Sequence, residues 1–141
     1  MRFSFVLFFT ILAINTLAAS AGQDSNLPDL SGFTKSPTEH QIVVVDRSFR
    51  VRSVEGMVVF QNKSGEPLEG VLFEIRGPDI AKTIRRTTTD KEGRFKIKAA
   101  PEGVYTFKTT RDGYNSSVGT IVVSKQATSD RKIRIAVAVG Y

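Results

Sequence analysis

Short runs of β-branched and aromatic residues, separated by clusters of Gly, Pro, Asn and Asp, follow one another from residue 42 to the end of the chain. In the last run, residues 133–139, Ile and Val alternate with Arg and Ala, the two-residue period that sends successive side chains to opposite faces of a strand. The same alternation recurs in four earlier runs, residues 71–76, 94–98, 104–109 and 121–123. No window has a convincing 3.6-residue helical period. The pattern predicts an all-β domain over residues 42–141.

Two stretches leave alternatives open. Residues 57–60 are apolar at every position, which fits either a strand that is covered on both faces or a strand whose parity is shifted by a bulge at Gly56. The run Ile42–Val45 is too short to distinguish a strand at a sheet edge from a segment outside the core.

The segment Asp90–Gly93 has the composition of a three-residue hairpin loop. The Asp90 side chain is placed to accept hydrogen bonds from nearby backbone amides, and Gly93 is expected to supply a positive φ. As a hairpin, this loop pairs Thr89 with Phe95 and Thr87 with Ile97.

The hairpin register also groups basic side chains on one solvent-facing surface, formed by Arg86, Lys96 and Lys98. Such a patch would attract phosphate or uronate groups of a cell surface. Charges at outward strand positions also prevent edge-to-edge aggregation, and this alternative remains open.

The N-terminus has the three-part pattern of a secretory signal peptide. A basic residue is followed by an apolar run and then by small residues, which predicts cleavage after Ala21. The alternative is an uncleaved membrane anchor, but the apolar run is shorter than the ~20 residues that span a bilayer. Residues 22–41 are rich in Ser, Pro, Gly, Asp and Thr and are predicted to be a flexible leader. We therefore expect an exported protein, either periplasmic or extracellular.

Composition argues against most catalytic machinery. The chain has no cysteine, a single histidine, His40, and a net charge of +6. The absence of cysteine excludes disulfides and thiolate metal sites. The single histidine lies in the predicted flexible leader beside Glu39, which argues against a histidine-based triad or a usual zinc site. The acidic residues lie mainly in predicted turns, without a motif for calcium or for paired-carboxylate catalysis. We expect no catalytic residue, metal or cofactor, and no nucleic-acid partner.

Five fragments in a fixed order resemble the carboxypeptidase regulatory-like domain family, with a match that extends over residues 54–139. They are GMV (56–58), GEPLEGV (65–71), TTDKEGRF (88–95), PEGVY (101–105) and GY (113–114). The resemblance implies a seven-stranded antiparallel β-sandwich of the prealbumin or transthyretin type, related to carbohydrate-binding-like folds. It also implies a non-catalytic accessory domain of a kind that is common in exported bacterial proteins.

The family positions have structural rather than catalytic interpretations. Gly93 and Gly103 would supply turn dihedral angles, Pro67 a rigid strand entry and Phe95 a core side chain. The Tyr105 ring would pack inward while its hydroxyl group binds a nearby loop, as in a tyrosine corner.

These features predict an exported, non-catalytic accessory module that binds a cell-envelope protein or polysaccharide. The alternative is a carbohydrate-binding module that stacks sugars on Tyr114, beside Gly113. Tyr114 would otherwise be a loop aromatic that covers one end of the sandwich.

Overall fold

A computed structural model of the chain describes residues 27–38, 41–77, 83–128 and 131–140. Strands but no helix occur in these ranges, so the described chain has no helix that is long and apolar enough to cross a membrane. The strands are β1 (Ile42–Val44), β2 (Phe49–Val51), β3 (Val54–Phe60), β4 (Leu72–Arg76), β5 (Ile84–Thr88), β6 (Arg94–Ile97), β7 (Gly103–Thr110), β8 (Ser116–Val123) and β9 (Ile133–Val137). The all-β prediction is confirmed, while the predicted signal peptide and His40 lie outside the described residues.

The strands form two sheets that face each other as a sandwich. The larger sheet has the order β1, β8, β7, β4, β5, and β2 also pairs with β8. The smaller sheet has the order β6, β3, β9. The described ranges thus contain nine strands where seven were expected, and two of the nine, β1 and β2, are three-residue strands on the edge of β8.

The sheets are mixed rather than wholly antiparallel, which corrects the prediction. Both β1 and β2 run parallel to β8, and β9 runs parallel to β3. Parallel partners need long connections, and here most of the domain lies between the members of each pair. A local alternation pattern carries no information about the direction of so distant a partner.

Three aromatic rings join the sheets at the centre of the core. The Phe73 ring, from β4, stacks on the Phe95 ring of β6 with centroids 4.0 Å apart. On the larger sheet the Phe73 ring also lies 5.8 Å from the ring of Phe107. All three side chains are buried, so burial of aromatic surface holds the two sheets together.

The predicted strand faces agree with the observed burial. In β9 the buried and exposed residues alternate strictly, and β6 shows the same alternation. Through Gly56 the register of β3 runs without interruption against both neighbours, so there is no bulge. Instead, Val58 lies in the core and Val59 is buried outside the core cluster. Of the two alternatives for this stretch, the structure therefore has the strand that is covered on both faces. A Cβ atom at Gly56 would overlap the Ile133 carbonyl group, so only glycine fits.

The turn at Asp90–Gly93 forms, but the hairpin that it was expected to close does not. The Asp90 carboxylate accepts hydrogen bonds from the backbone amides of Glu92 and Arg94, at 3.0 and 2.9 Å. Beyond this turn the chain changes sheets, because β5 pairs with β4 whereas β6 pairs with β3. The predicted pairings of Thr89 with Phe95 and Thr87 with Ile97 are therefore wrong.

The buried hydroxyl group of Thr89 stabilises the crossing between sheets. It accepts a hydrogen bond from the Val71 amide at 2.9 Å and donates one to the Leu68 carbonyl group at 2.7 Å. These two bonds tie the end of β5 to the segment before β4. Thr89 is thus held beside the larger sheet instead of continuing into a ladder with β6.

Residues 27–38, which we call the N-terminal strap, lie across the outer face of the larger sheet. Phe33 is buried there, and the Arg76 guanidinium group lies 5.0 Å from the centroid of its ring. Arg76 also donates hydrogen bonds to the carbonyl groups of Ser31, at 2.6 Å, and Asp29. These contacts differ from the flexible leader that the composition predicts.

The strap covers two charged side chains that the strand pattern placed towards solvent. Glu74 and Lys108 are neighbours across β4 and β7, and both are almost fully buried. The Thr34 amide donates to Glu74 Oε1 at 3.0 Å, while Lys108 Nζ donates to the Thr34 carbonyl group at 2.7 Å. Hydrogen bonding of this kind offsets the cost of removing both charges from water.

Candidate functional site

The three basic residues predicted to form one patch do not come together. Arg86 lies on the outer face of the larger sheet, where its guanidinium group is 3.3 Å from the Glu74 carboxylate. Lys96 lies on the outer face of the smaller sheet, and its ammonium group is 3.5 Å from the Glu55 carboxylate. The patch prediction is wrong because β5 and β6 belong to different sheets, which turns these outward positions in opposite directions.

Lys98 is exposed immediately after β6. Its carbonyl group accepts a hydrogen bond from the Arg85 guanidinium group at 2.7 Å. Arg85 therefore bridges the two sheets at this side of the sandwich.

Tyr114 closes one end of the sandwich. It is half-buried and packs against the core, with its ring perpendicular to the Phe60 ring and the centroids 6.1 Å apart. The Arg111 guanidinium group lies over the Tyr114 ring, 5.0 Å from its centroid. The geometry is that of an aromatic cover on the core, with Arg111 over the ring.

The Tyr105 side chain has the geometry of a tyrosine corner. Its ring is buried in the core, and its hydroxyl group donates a hydrogen bond to the Pro101 carbonyl group at 2.6 Å. This bond ties the loop before β7 to the strand itself.

Gly93 and Pro67 meet where the Asp90–Gly93 turn packs on β3. Gly93 has a φ of +70°, and a Cβ atom there would lie 2.6 Å from the Val58 carbonyl oxygen and 3.0 Å from the Pro67 Cβ. Pro67 forms an isolated antiparallel bridge with Val59, and Gly103, with a φ of +154°, begins β7. These family positions have structural roles in the described chain.

A groove lined mainly by basic residues runs along one open side of the sandwich, between the edge strands β2 and β9. Its volume is about 180 Å³. We call it the basic groove, and its lining consists of Arg47, Ser48, Phe49, Arg50, Val51, Arg131, Lys132 and Arg134. Five of these eight described residues are cationic and none is acidic.

The floor of the basic groove is anchored in the core, and its rim is charged. The half-buried Phe49 ring packs 5.9 Å from the Phe107 ring, and the Arg47 guanidinium group lies 5.9 Å from the Phe49 centroid. Arg50 and Arg134 are exposed, and no carboxylate of the described residues forms an ion pair with either. The groove therefore has an aromatic floor, while Arg50 and Arg134 occupy outward positions on different sheets and Arg134 Nη2 lies beside Gly65.

One carboxylate moderates the charge at the rim of the basic groove. Glu55 Oε1 forms an ion pair with Lys132 Nζ, while Glu55 Oε2 binds Lys96 outside the groove. Because Glu55 is shared between two lysines, it neutralises only part of the charge of either one.

Sequence reasoning missed this groove because its walls come from segments that are about eighty residues apart. The signal was present as two short basic clusters, RSFRVR at 47–52 and RKIR at 131–134. Each cluster by itself is a normal amphipathic strand. The concavity between them exists only because β2 and β9 lie at open edges of the two facing sheets.

The described residues contain no group of three or more His, Cys, Asp or Glu side chains that could hold a metal ion. The fully buried Glu74 carboxylate accepts hydrogen bonds from the amide and the hydroxyl group of Thr34. It also forms an ion pair with Arg86. Its oxygens are thus engaged in attaching the N-terminal strap.

Comparison with solved structures finds a similarity to 3-chlorocatechol 1,2-dioxygenase from Rhodococcus opacus 1CP. The two share 14% sequence identity, and the aligned region covers 75% of this chain and 70% of the dioxygenase chain, with a TM-score of 0.46. This similarity carries no information about chemistry. Comparison with curated proteins finds no match.

Comparison with family models gives a match to the carboxypeptidase regulatory-like domain over residues 53–136. The matched region is more than half of the chain and includes strands β3 to β8 completely. It also contains the Asp90–Gly93 turn, Phe95 and the Tyr105 corner. The chain belongs to the carboxypeptidase regulatory-like domain family.

Proposed function

We propose that this protein is an exported, non-catalytic accessory module that binds a component of the cell envelope. The observation that carries the proposal is the basic groove, in which five cations and no acidic residue line one concavity. Clusters of one charge sign focus the electrostatic potential and attract ligands of the opposite sign.

Two further observations support the non-catalytic part of the proposal. The carboxypeptidase regulatory-like domain is a non-catalytic domain family, and the matched region takes up most of the described chain. The Glu74 carboxylate, although buried, is occupied by structural contacts instead of facing a cleft. Export is supported by the signal-peptide pattern of residues 1–21.

Sugar stacking on Tyr114 is the weaker alternative. Carbohydrate stacking needs an accessible ring face, whereas Arg111 covers the Tyr114 ring and Phe60 packs beside it. The basic groove therefore supports recognition of charge better than Tyr114 supports recognition of a neutral sugar.

The proposal is tested by co-sedimentation of the full chain with the envelope fraction of the cells that produce it. We expect the protein to sediment with that fraction and to show no turnover of peptide, ester or glycoside substrates. A protein that stays in the supernatant at every ionic strength would contradict envelope binding. Hydrolysis that disappears when one of the protein's own side chains is substituted would contradict the non-catalytic role.

A further inference from the structure

We infer that the outer face of the smaller sheet is a docking surface for an anionic membrane, whose phosphate head groups it contacts through four cations. We call this surface the cationic face, and its cations are Arg94, Lys96, Lys132 and Arg134. Two of them, Lys132 and Arg134, also border the basic groove. The inference rests on the proposed function, because it names the envelope component that is bound.

Two arginines flank the centre of the cationic face. Arg94, on β6, and Arg134, on β9, are both cross-strand partners of Met57 in β3. Both arginines are exposed and lie between buried neighbours, so their side chains leave the sheet on its outer face. The Arg134 Nη2 atom lies beside Gly65, in the loop that follows β3. Neither guanidinium group forms an ion pair with a carboxylate of the described residues, so neither has a counter-charge of its own there.

Two lysines lie in the next row of the sheet, where they share one carboxylate. Lys96 is the cross-strand partner of Glu55, and its ammonium group is 3.5 Å from the Glu55 carboxylate. The ammonium group of Lys132 pairs with the other oxygen of the same carboxylate. The two ammonium groups are thus brought together around a single negative charge. Among the four cations of the cationic face, three positive charges remain uncompensated.

The four cations form a planar array instead of lining a cleft. With strands about 4.8 Å apart and outward residues of one strand about 6.8 Å apart, their backbone positions fall within about 10 by 7 Å. Lipids move sideways within a membrane, so a phosphate group can come to lie beneath each cation. Guanidinium and ammonium groups both bind phosphate oxygens through charge-assisted hydrogen bonds. A flat layer of head groups therefore fits this surface.

Protection of sheet edges does not account for the arrangement of charge. Both β6 and β9 are edge strands, and charged residues on such strands prevent edge-to-edge pairing. That role is served by either sign of charge, at each edge separately. Here every charged outward residue of the two strands is a cation. Like charges on one face repel each other, and an anionic surface relieves this repulsion.

An acidic protein is a less suitable partner. Protein interfaces have an apolar centre with aromatic anchors that fill pockets. The centre of the cationic face is the half-buried Met57 side chain, and neither row contains an aromatic residue on the outer face. The large apolar side chains that are exposed in the described ranges, Val43, Val104 and Val139, lie outside these rows. We therefore expect electrostatic binding at the membrane surface, without insertion of side chains into the bilayer.

The test uses the protein in the form that the cells export. Binding is measured to vesicles of phosphatidylcholine alone and of phosphatidylcholine mixed with phosphatidylglycerol, at about 0.05 and 0.15 M salt, where screening differs. Dextran sulfate and polyglutamate are measured beside them as soluble polyanions. The face variant is Arg94→Gln with Arg134→Gln. The control variant, Lys35→Gln with Arg50→Gln, removes the same charge from exposed positions outside the cationic face. Circular dichroism and unfolding curves confirm that both variants are folded.

We expect binding to the anionic vesicles, weaker at the higher salt concentration, and none to the neutral vesicles. The face variant should lose affinity about ten- to thirtyfold, since each basic residue near an anionic membrane contributes about fivefold. The control variant should change affinity less than about twofold, because its charges lie on the other side of the sandwich and are screened.

A change in the opposite direction is expected at the one carboxylate of the cationic face. Glu55→Gln should tighten binding about fivefold, because it removes the negative charge that lies between Lys96 and Lys132. Asp46→Asn, at an exposed position between β1 and β2, is the matched control and should change affinity less than about twofold.

The other outcomes contradict the inference in distinguishable ways. Equal losses in the face variant and the control variant would mean that diffuse net charge causes the binding. Binding of either soluble polyanion that is as tight, and as sensitive to the face variant, would assign the cationic face to a soluble partner. If the anionic vesicles do not bind while the protein still sediments with the envelope fraction, the inference is wrong and the proposed function stands. Vesicle binding without such sedimentation would support the cationic face and contradict the proposed function. If neither is seen, both are wrong.

Discussion

Substitution of alanine for Gly93 should destabilise the domain more than the same substitution at Gly70. Both glycines have a positive φ, +70° at Gly93 and +78° at Gly70. They differ in the space around an added Cβ atom. At Gly93 the nearest atom would be the Val58 carbonyl oxygen at 2.6 Å, whereas at Gly70 no atom lies within 4 Å. The pair therefore separates the cost of the backbone conformation from the cost of the steric contact.

The magnitudes follow from these two terms. A left-handed conformation costs an L-residue about 1–2 kcal/mol, which is the whole of the expected loss for Gly70→Ala. Gly93→Ala has this cost and also an overpacking term of about 1–3 kcal/mol. The contact is with backbone atoms of β3, and the Gly93 carbonyl group accepts a hydrogen bond from the Val58 amide at 2.8 Å. Relief by a side-chain rotation is therefore blocked, and we expect a total loss of about 2–5 kcal/mol.

Urea unfolding of both variants and the unsubstituted chain measures the difference. With an m-value of about 2 kcal/mol/M, the steric term should lower the Gly93→Ala midpoint roughly 0.5–1.5 M below that of Gly70→Ala. Equal midpoints at equal m-values would show that the Asp90–Gly93 turn can move away from β3, and the close approach would then have no energetic role. A larger loss at Gly70 would refute the assignment of the strain altogether.

Two further predictions concern the core and the N-terminal strap. Phe95→Ala should lower the unfolding free energy by about 3–5 kcal/mol, since it leaves a cavity beside the Phe73 ring. The control, Lys96→Ala at an exposed position, should change it by less than about 0.5 kcal/mol. Equal losses of the two variants in thermal or urea unfolding would contradict the assignment of Phe95 to the inner face and Lys96 to the outer face of β6. Phe33→Ala should speed hydrogen exchange at the Thr34 amide, because Phe33 is the buried anchor of the strap. The unfolding free energy of the domain should fall by no more than about 3 kcal/mol. Unchanged exchange would mean that the contacts with Glu74 hold the strap without Phe33.

The amino-acid pattern by itself determined the all-β class, the inward and outward faces of the strands and the principal turn. Alternation in β6 and β9 assigned Phe95 and Ile133 to the core, and the structure buries both. The Asp90–Gly93 turn also follows from sequence, because its hydrogen bonds join residues no more than four apart. These features depend on residues that are close in sequence, so they form whichever strands become neighbours.

The tertiary structure alone decided which strands are neighbours, and therefore which surface residues act together. Arg86 and Lys96 were separated because the chain changes sheets after Thr89, through hydrogen bonds to Leu68 and Val71. The same long-range pairing placed β2 and β9 side by side at the open edge of the sandwich and so assembled the basic groove. A two-residue period specifies which face of the strand a side chain occupies, but it does not specify which other strand lies alongside. The neighbouring strand is selected by packing of the whole core.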